Sequence, residues 1–151
     1  MENFGRLDYW LKTTWLKVAR LYNQEAQKKG ITLTVAQLLL LIQKDGTPSS
    51  SLGPMVGMEA SSLTRTIKAL LDKKWIVKKS DKEDGRITLV FLTELGIEKR
   101  KEAKHKVEVF NQEMEKVIPA NMYNNFFEVI QLINSHIDNN NIFNTIENED
   151  K

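Results

Sequence analysis

The chain has 151 residues, 41% of them hydrophobic, and a net charge of +2 from 22 basic and 20 acidic residues. That is one domain of average size or slightly more, able to bury a core without metal or disulfide staples. With no cysteine, disulfides, thiolate metal sites, iron–sulfur clusters, cysteine nucleophiles and thiol redox switches are all excluded.

No apolar run approaches the roughly 18 residues of a membrane span. The first residues include Glu2 and Asp8 and have no apolar stretch ending in small residues, so no signal peptide is expected. A cytoplasmic protein without a membrane partner is the default reading.

The first helix is predicted over about Asn3 to Lys29. Leu7, Leu11, Thr14, Val18 and Leu21 recur at three- and four-residue steps, and Gly30 ends the helix. A second, short helix is predicted from Thr34. Thr34 and Gln37 have the spacing of a capping box, and the run Leu38 to Ile42 is apolar all round, as in a buried helix. Asp45-Gly46 closes it, and Thr47-Pro48 reads as a turn. Ser49, Ser50 and Ser51 offer caps for a third helix ending at Gly57. Proline is harmless only in the first helical turn, so Pro54 predicts a start near Ser51 or a distorted helix. A fourth helix carries the apolar stripe Ala60, Leu63, Ile67, Leu70 and Leu71, with Ser61, Ser62, Thr64, Arg65 and Lys68 facing elsewhere.

Two strand-like runs follow, Trp75 to Lys79 and Ile87 to Leu92, joined by the polar loop Ser80 to Arg86. Thr93 is expected to cap a long helix over Glu94 to Val117, roughly 36 Å at 1.5 Å per residue. Ala103, Val107, Phe110, Met114 and Val117 keep near-heptad spacing along it. Pro119 breaks that helix, and a last one runs from Asn121 to about Asp138. The asparagine-rich tail, Asn139 to Lys151, is expected to be mobile.

The fold class that results is mainly α: a winged helix-turn-helix with a two-stranded β wing, flanked by long N- and C-terminal helices. Residues 32–93 form the expected DNA-binding domain, with 1–31 and 94–138 as a helical dimerisation region. From Arg65 to Lys82 there are seven basic and two acidic residues, +5 in 18 residues. A basic stripe of this kind is either a solvated charged face or the electrostatic footprint of a nucleic-acid binder. A helix-turn-helix, too, is either a DNA reader or purely structural. The basic, hydroxyl-rich outer face of the fourth helix favours double-stranded DNA. A protein-interaction module would instead carry a neutral or apolar face there. An enzyme is not expected, for want of a glycine-rich phosphate loop, a close carboxylate–histidine constellation or a cysteine. His105 has Val109 four residues on, so no paired metal ligands arise there, and neither metal nor cofactor is expected.

In this order and at these spacings the sequence resembles the MarR (multiple antibiotic resistance regulator) family of bacterial transcription factors, over roughly residues 5 to 138. Gly30-Ile31-Thr32-Leu33-Thr34 with Gln37 resembles the lead-in to that family's second helix. Ser61-Ser62-Leu63-Thr64-Arg65 resembles the start of its recognition helix. Asp84-Gly85-Arg86 resembles its wing tip, and Leu92-Thr93-Glu94-Leu95-Gly96 its return into the long helix. The chain departs from the pattern at Pro54, at Glu59 as a poor helix cap, at Lys74-Trp75 where glycine-leucine is typical, and at Gly85 where a second arginine is common.

The resemblance implies a ligand-responsive repressor, acting as a homodimer on a pseudo-palindromic operator. In the major groove, Arg65 can contact guanine N7 and O6, with Ser61, Ser62, Thr64 and Lys68 on phosphates or base edges. The resemblance places Arg86 in a minor groove, its guanidinium held by Asp84, while Lys78, Lys79 and Lys82 attract phosphates. The first and last two helices carry more apolar surface than one small winged helix covers. Either a second copy of the chain covers it, or the three helices cover each other. Trp10, Trp15 and Tyr22 on the first helix are either core or, as the resemblance implies, the wall of a pocket for a small aromatic or amphipathic effector.

The missing thiol makes one prediction at once. Treatment with a hydroperoxide should not release DNA in a way that a thiol reductant restores, because methionines are the only sulfur targets. Rapid release reversed by dithiothreitol in a mobility-shift assay would contradict it.

Overall fold

The structure is a computed structural model, which describes residues 5–139 and 142. It contains six helices and three strands among these residues: α1 (Leu7–Gln27), α2 (Leu33–Leu41), β1 (Thr47–Pro48), α3 (Ser49–Met55), α4 (Ala60–Asp72), β2 (Ile76–Ser80), β3 (Thr88–Leu92), α5 (Glu94–Val117) and α6 (Ala120–Asn139). The class is mainly α with a small antiparallel sheet, as expected. The chain divides into two compact units, one through Glu108 and one from Val109. The tail expected to be mobile lies outside the described residues apart from Asn139 and Ile142.

The core of the first unit is that of the winged helix. Leu38, Leu39 and Ile42 meet Leu52 of α3, Ile67 and Leu70 of α4, and Trp75, Ile76 and Val90 of the wing. α4 and the wing therefore share one apolar cluster, and neither can shift without repacking against the other. In the fourth helix, Ile67 and Leu70 are buried and Leu63 packs on the core, but Ala60, expected in the same stripe, is exposed.

Local chemistry moved several boundaries. The cap of α2 is Thr32, not Thr34: Thr32 is extended and its hydroxyl accepts from the Val35 N–H at 3.3 Å. Leu33 is already helical, with its N–H held by Asn23 Oδ1 of α1 at 3.2 Å, so no capping box forms at Thr34. The third helix begins at Ser49, and Pro54 sits in its last turn rather than its first. There the missing N–H removes a single bond, to the Ser50 carbonyl, at the end of a seven-residue helix. Thr47-Pro48 is a strand, not only a turn. It pairs antiparallel with Val90 and Leu89, giving a three-stranded sheet in the order β1-β3-β2. Proline is tolerated because β1 is an edge. The wing proper, β2 and β3, pairs from Ile76↔Leu92 to Ser80↔Thr88.

α1, α3 and α4 end alike. The residue after the last turn is left-handed, and the next N–H reaches back five residues: Ile31 to Ala26, Met58 to Gly53, and Trp75 to Leu70. Glycine fills that place at Gly30 (φ 67°) and Gly57 (φ 66°), whereas α4 uses Lys74 (φ 57°). A side chain in that region costs about 1–2 kcal/mol.

The start of α5 is fixed by close approach. The Thr93 hydroxyl accepts from the Gly96 N–H at 3.0 Å, as the predicted cap should, and donates to the Lys74 carbonyl at 2.7 Å. The Thr93 N–H donates to the Trp75 carbonyl at 3.0 Å. A Cβ on Gly96 would lie 1.9 Å from that same carbonyl oxygen. Gly96 is buried, and no other residue fits without moving the helix off the wing.

α6, in the second unit, has no buried residue. Met122, Phe126, Val129, Leu132 and Ile137 are all exposed. Tyr123 OH donates to Asn111 Oδ1 at 3.2 Å, and the Tyr123 ring meets Phe127 edge-on.

Two substitutions should move stability in opposite directions. Gly96→Ala should lower the unfolding free energy by about 3 kcal/mol, as forced overpacking does. Lys74→Gly should raise it by about 1 kcal/mol by relieving the left-handed strain. Urea denaturation of both variants checks this. Equal stabilities would contradict the close approach at Gly96.

Candidate functional site

The outer surface of α4 is built by its apolar stripe. With Ile67 and Leu70 turned inward, Ser61, Ser62, Thr64, Arg65 and Lys68 are all exposed. Glu59 precedes the helix without a side-chain cap bond, so the first α4 N–H groups lack one. The Thr64 hydroxyl donates to the Ala60 carbonyl at 2.9 Å, leaving its oxygen as an acceptor.

Beside α4 lies an open cleft of about 650 Å³, bounded by α3, α4 and the wing. It brings together Thr64, Lys78 and Arg86, which the sequence singled out, with Ser49, Ser50 and Thr88, which it did not. The two serines had read only as caps for α3. Their signal was position, since they follow the proline that ends the edge strand. Two cations and four hydroxyls around one cleft suit a phosphate backbone.

Lys79 and Lys82 are exposed outside the residues of that cleft, with Lys79 Nζ 5.2 Å from the centre of the Phe91 ring. The wing tip differs from expectation in one contact. Asp84 accepts from the backbone N–H of Arg86 at 3.0 Å, and no ion pair joins it to the Arg86 guanidinium among the described residues. An aspartate accepting from the backbone N–H two residues on is a common local turn. The N–H groups of Glu83 and Asp84 converge on Asp81 Oδ1 at 2.8 and 2.9 Å. These bonds hold the Asp81 carboxyl below its ordinary pKa. The tip is therefore shaped by backbone turns, and the Arg86 side chain is left unclamped by Asp84.

A second, more enclosed cavity of about 460 Å³ lies against α1, α2 and the first part of α5. Trp15 and Tyr22 line it, whereas Trp10 does not and packs edge-on against Tyr9. Trp15 and Tyr22 are seven residues apart on one face of α1, and Trp10 falls off that face. The remaining wall is mostly apolar, including Ile31, Leu40, Ala103 and Trp75.

Charge sits at the mouth. Lys106 and Lys99 of α5 pair with Glu25 and Glu102 at 2.7 Å each, Lys29 reaches Glu102 at 3.6 Å, and Lys28 also holds Glu25. Lys106 first, then Lys28, hold the Glu25 carboxyl down to about 2. Deeper in the fold, Arg100 donates from α5 to the Ile42 carbonyl at the end of α2, 2.9 Å away.

Similarity to known proteins follows the same outline. A family model described as the MarR family matches residues 31–88. The chain is 32% identical over 111 residues to YdgJ, an uncharacterized HTH-type transcriptional regulator of Bacillus subtilis (strain 168). That match covers 73% of this chain and 68% of YdgJ. In fold it is similar to S. aureus MepR in a crystal structure with DNA, at a TM-score of 0.74 and 16% identity, over 86% of this chain and 97% of that one. It is also similar to CouR from Rhodococcus jostii RHA1 bound to p-coumaroyl-CoA, at a TM-score of 0.75 and 21% identity, over 85% and 92% of the two chains.

The tie between α1 and α5 should depend on acid. The folded-state pKa of Glu25 lies below the ordinary 4.5, so its contribution is present above about pH 4.5 and is lost as pH falls toward about 2. A carboxyl-carbon NMR titration should place the Glu25 midpoint near 2, rising toward the ordinary value in Lys106→Met. A wild-type midpoint near 4.5 would show that the pairs do not hold in solution.

Proposed function

The chain belongs to the MarR family of HTH-type transcriptional regulators, and from that premise we propose that it is a ligand-responsive repressor binding double-stranded DNA as a homodimer. The observation that carries the reading is the continuity of the exposed α4 face with the cleft beside it. Ser61, Ser62, Arg65 and Lys68 lead into Thr64, Lys78 and Arg86 without an acidic side chain among them. In this reading α4 enters the major groove and Arg65 reads a guanine edge. The cleft hydroxyls and Lys78 seat on phosphates, and Arg86 follows groove shape. Lys79 and Lys82 add sequence-independent attraction, and Asp84 shapes the tip rather than gripping Arg86.

We assign residues 32–93 to DNA binding and the helices on either side, 1–31 and 94–138, to dimerisation. The exposed apolar side chains of α1 and α6 support a second copy as partner. Two reading heads on a two-fold axis match half-sites about one helical turn apart. The cavity lined by Trp15 and Tyr22 supports a small aromatic or amphipathic effector. The function is binding rather than turnover, in the cytoplasm. No described helix is long and apolar enough to cross a membrane.

Three alanine variants should separate by kind on DNA selected from a random pool and on shuffled duplex, across a salt series. Arg65→Ala should relax preference at one or two positions per half-site, by about 1–3 kcal/mol against the correct base. Lys78→Ala should weaken binding to all sequences and lower the salt slope by about one. Arg86→Ala should matter most where flanks are A·T-rich. If Arg65→Ala changes neither affinity nor base preference, α4 is not the reading head.

A further inference from the structure

The chain holds two aspartate–glycine steps, Asp45-Gly46 and Asp84-Gly85. At such a step a chain can attack itself. The glycine nitrogen closes on the carboxyl carbon of the aspartate, reacting as its neutral acid, and one water leaves. The cyclic imide then takes up one water at either of its two carbonyls. One opening restores aspartate. The other leaves isoaspartate, with the main chain running through the former side chain. Neither an oxidant nor a co-reactant other than water takes part. Glycine favours the reaction because no Cβ hinders the nitrogen or the backbone rotation that ring closure needs.

The two steps differ in what surrounds the nitrogen. Gly46 is held at φ 90°, and its N–H donates to the Gln43 carbonyl at 3.2 Å. A Cβ there would lie 2.6 Å from the tip of the Phe91 ring, so the space beside it is filled. Gly85 is exposed, with no atom within 4 Å of where a Cβ would stand. Its φ is not positive, and among the described residues no hydrogen bond holds its N–H. Asp84 Oδ1 accepts from the Arg86 N–H at 3.0 Å, which lays the carboxyl along the peptide joining Asp84 to Gly85. Electrophile and nucleophile are therefore adjacent and unobstructed at the wing tip, and obstructed at Asp45. Neither the space around Gly85 nor its backbone angle demands glycine, so what glycine brings to this position is chemical.

Isomerisation there reaches the cleft beside α4. Two bonds close the tip onto Asp84: the Arg86 N–H on Oδ1, and the Ile87 N–H on the main-chain carbonyl at 2.9 Å. Isoaspartate exchanges the roles of those two carbonyl groups and adds one atom to the main chain, so both bonds lose their geometry. Arg86 and Ile87 both line the cleft. The number of carboxylates is unchanged, so the local charge stays the same and the position of Arg86 does not.

We propose that Asp84-Gly85 is a site of spontaneous isoaspartate formation, and that the isomerised tip displaces Arg86 from the cleft. The first half stands on the wing tip alone. The second rests on the DNA-binding reading proposed above.

The test ages the full-length protein in mildly acidic buffer at physiological temperature. Isoaspartate is counted by methyl transfer from S-adenosylmethionine with a purified L-isoaspartyl carboxyl methyltransferase. It is located by endoproteinase Asp-N, which cuts before aspartate and not before isoaspartate. Position 84 should accumulate at least about tenfold more isoaspartate than position 45, and Gly85→Val should lower the yield at 84 about tenfold. No isoaspartate at 84, equal amounts at 84 and 45, or an undiminished yield in Gly85→Val overturns the site. Affinity for the selected duplex is then compared between fresh and aged protein. It should fall about fivefold on ageing in wild type, stay constant in Gly85→Val, and show no further fall in Arg86→Ala. Isomerised wild type with undiminished affinity overturns the displacement of Arg86 and leaves the site standing. Fresh protein without preference for the selected duplex overturns the DNA-binding reading and with it the displacement, while the methyl count still decides the site.

Discussion

α4, the wing and α5 are joined through the backbone of two residues, Lys74 and Trp75. The Lys74 carbonyl accepts from the Thr93 hydroxyl, and the Trp75 carbonyl accepts from the Thr93 N–H. The Trp75 N–H closes the end of α4 on Leu70. The recognition helix, the wing and the long helix α5 therefore meet at one small knot of hydrogen bonds. The absent side chain of Gly96 lets α5 press against it, and Lys74 holds a left-handed backbone to make the turn. Such strain persists only where the surroundings over-determine it, and here these three hydrogen bonds do so.

From that knot the functional geometry follows. α4 and β2 leave it as neighbours, share Ile67, Leu70, Ile76 and Val90 in one core, and border a single cleft with Thr64 on one side and Lys78 and Arg86 on the other. The first part of α5 lines the second cavity and sends Arg100 back to the end of α2. The cleft beside α4 and the apolar cavity thus both border the same core cluster, through Leu63 and through Trp75 and Ile31. In a densely packed interior, small displacements on one side are not absorbed before they reach the other. Under the proposed function, this is the physical basis on which an effector in the cavity and DNA at the cleft would compete for arrangements of one unit without touching each other.

Much of the fold was legible because its signals were periodic. The stripe on α4, the run Leu38 to Ile42, the β-branched wing strands and the Thr93 cap each encode an element locally. What failed to read were choices settled by tertiary partners. Thr32 and Thr34 flank Leu33 equally in sequence, and the Leu33 N–H, taken by Asn23 of α1, belongs to a helix that has already begun. Thr47-Pro48 is a turn by composition and becomes a strand because β3 offers it an edge. The expected side-chain pair Asp84–Arg86 does not form because the Asp84 carboxylate accepts from the nearer Arg86 backbone N–H instead. In the candidate sites, exposure of the α4 residues followed from periodicity. Ser49, Ser50 and Trp75 did not, since each is brought to its cavity by chain distant in sequence.

Whether one face of this molecule reads DNA sequence is decided by selection from a random pool. Wild-type chain is used to select duplexes from a random pool. Its affinity for the enriched duplex and for a shuffled duplex of equal length and composition is then measured at one physiological salt concentration. A sequence reader should prefer the enriched site by a factor of about a thousand or more, with the site arranged as two related half-sites. A ratio near one, with weak binding to both duplexes that disappears as salt rises, would mean that the basic face attracts phosphates and reads nothing.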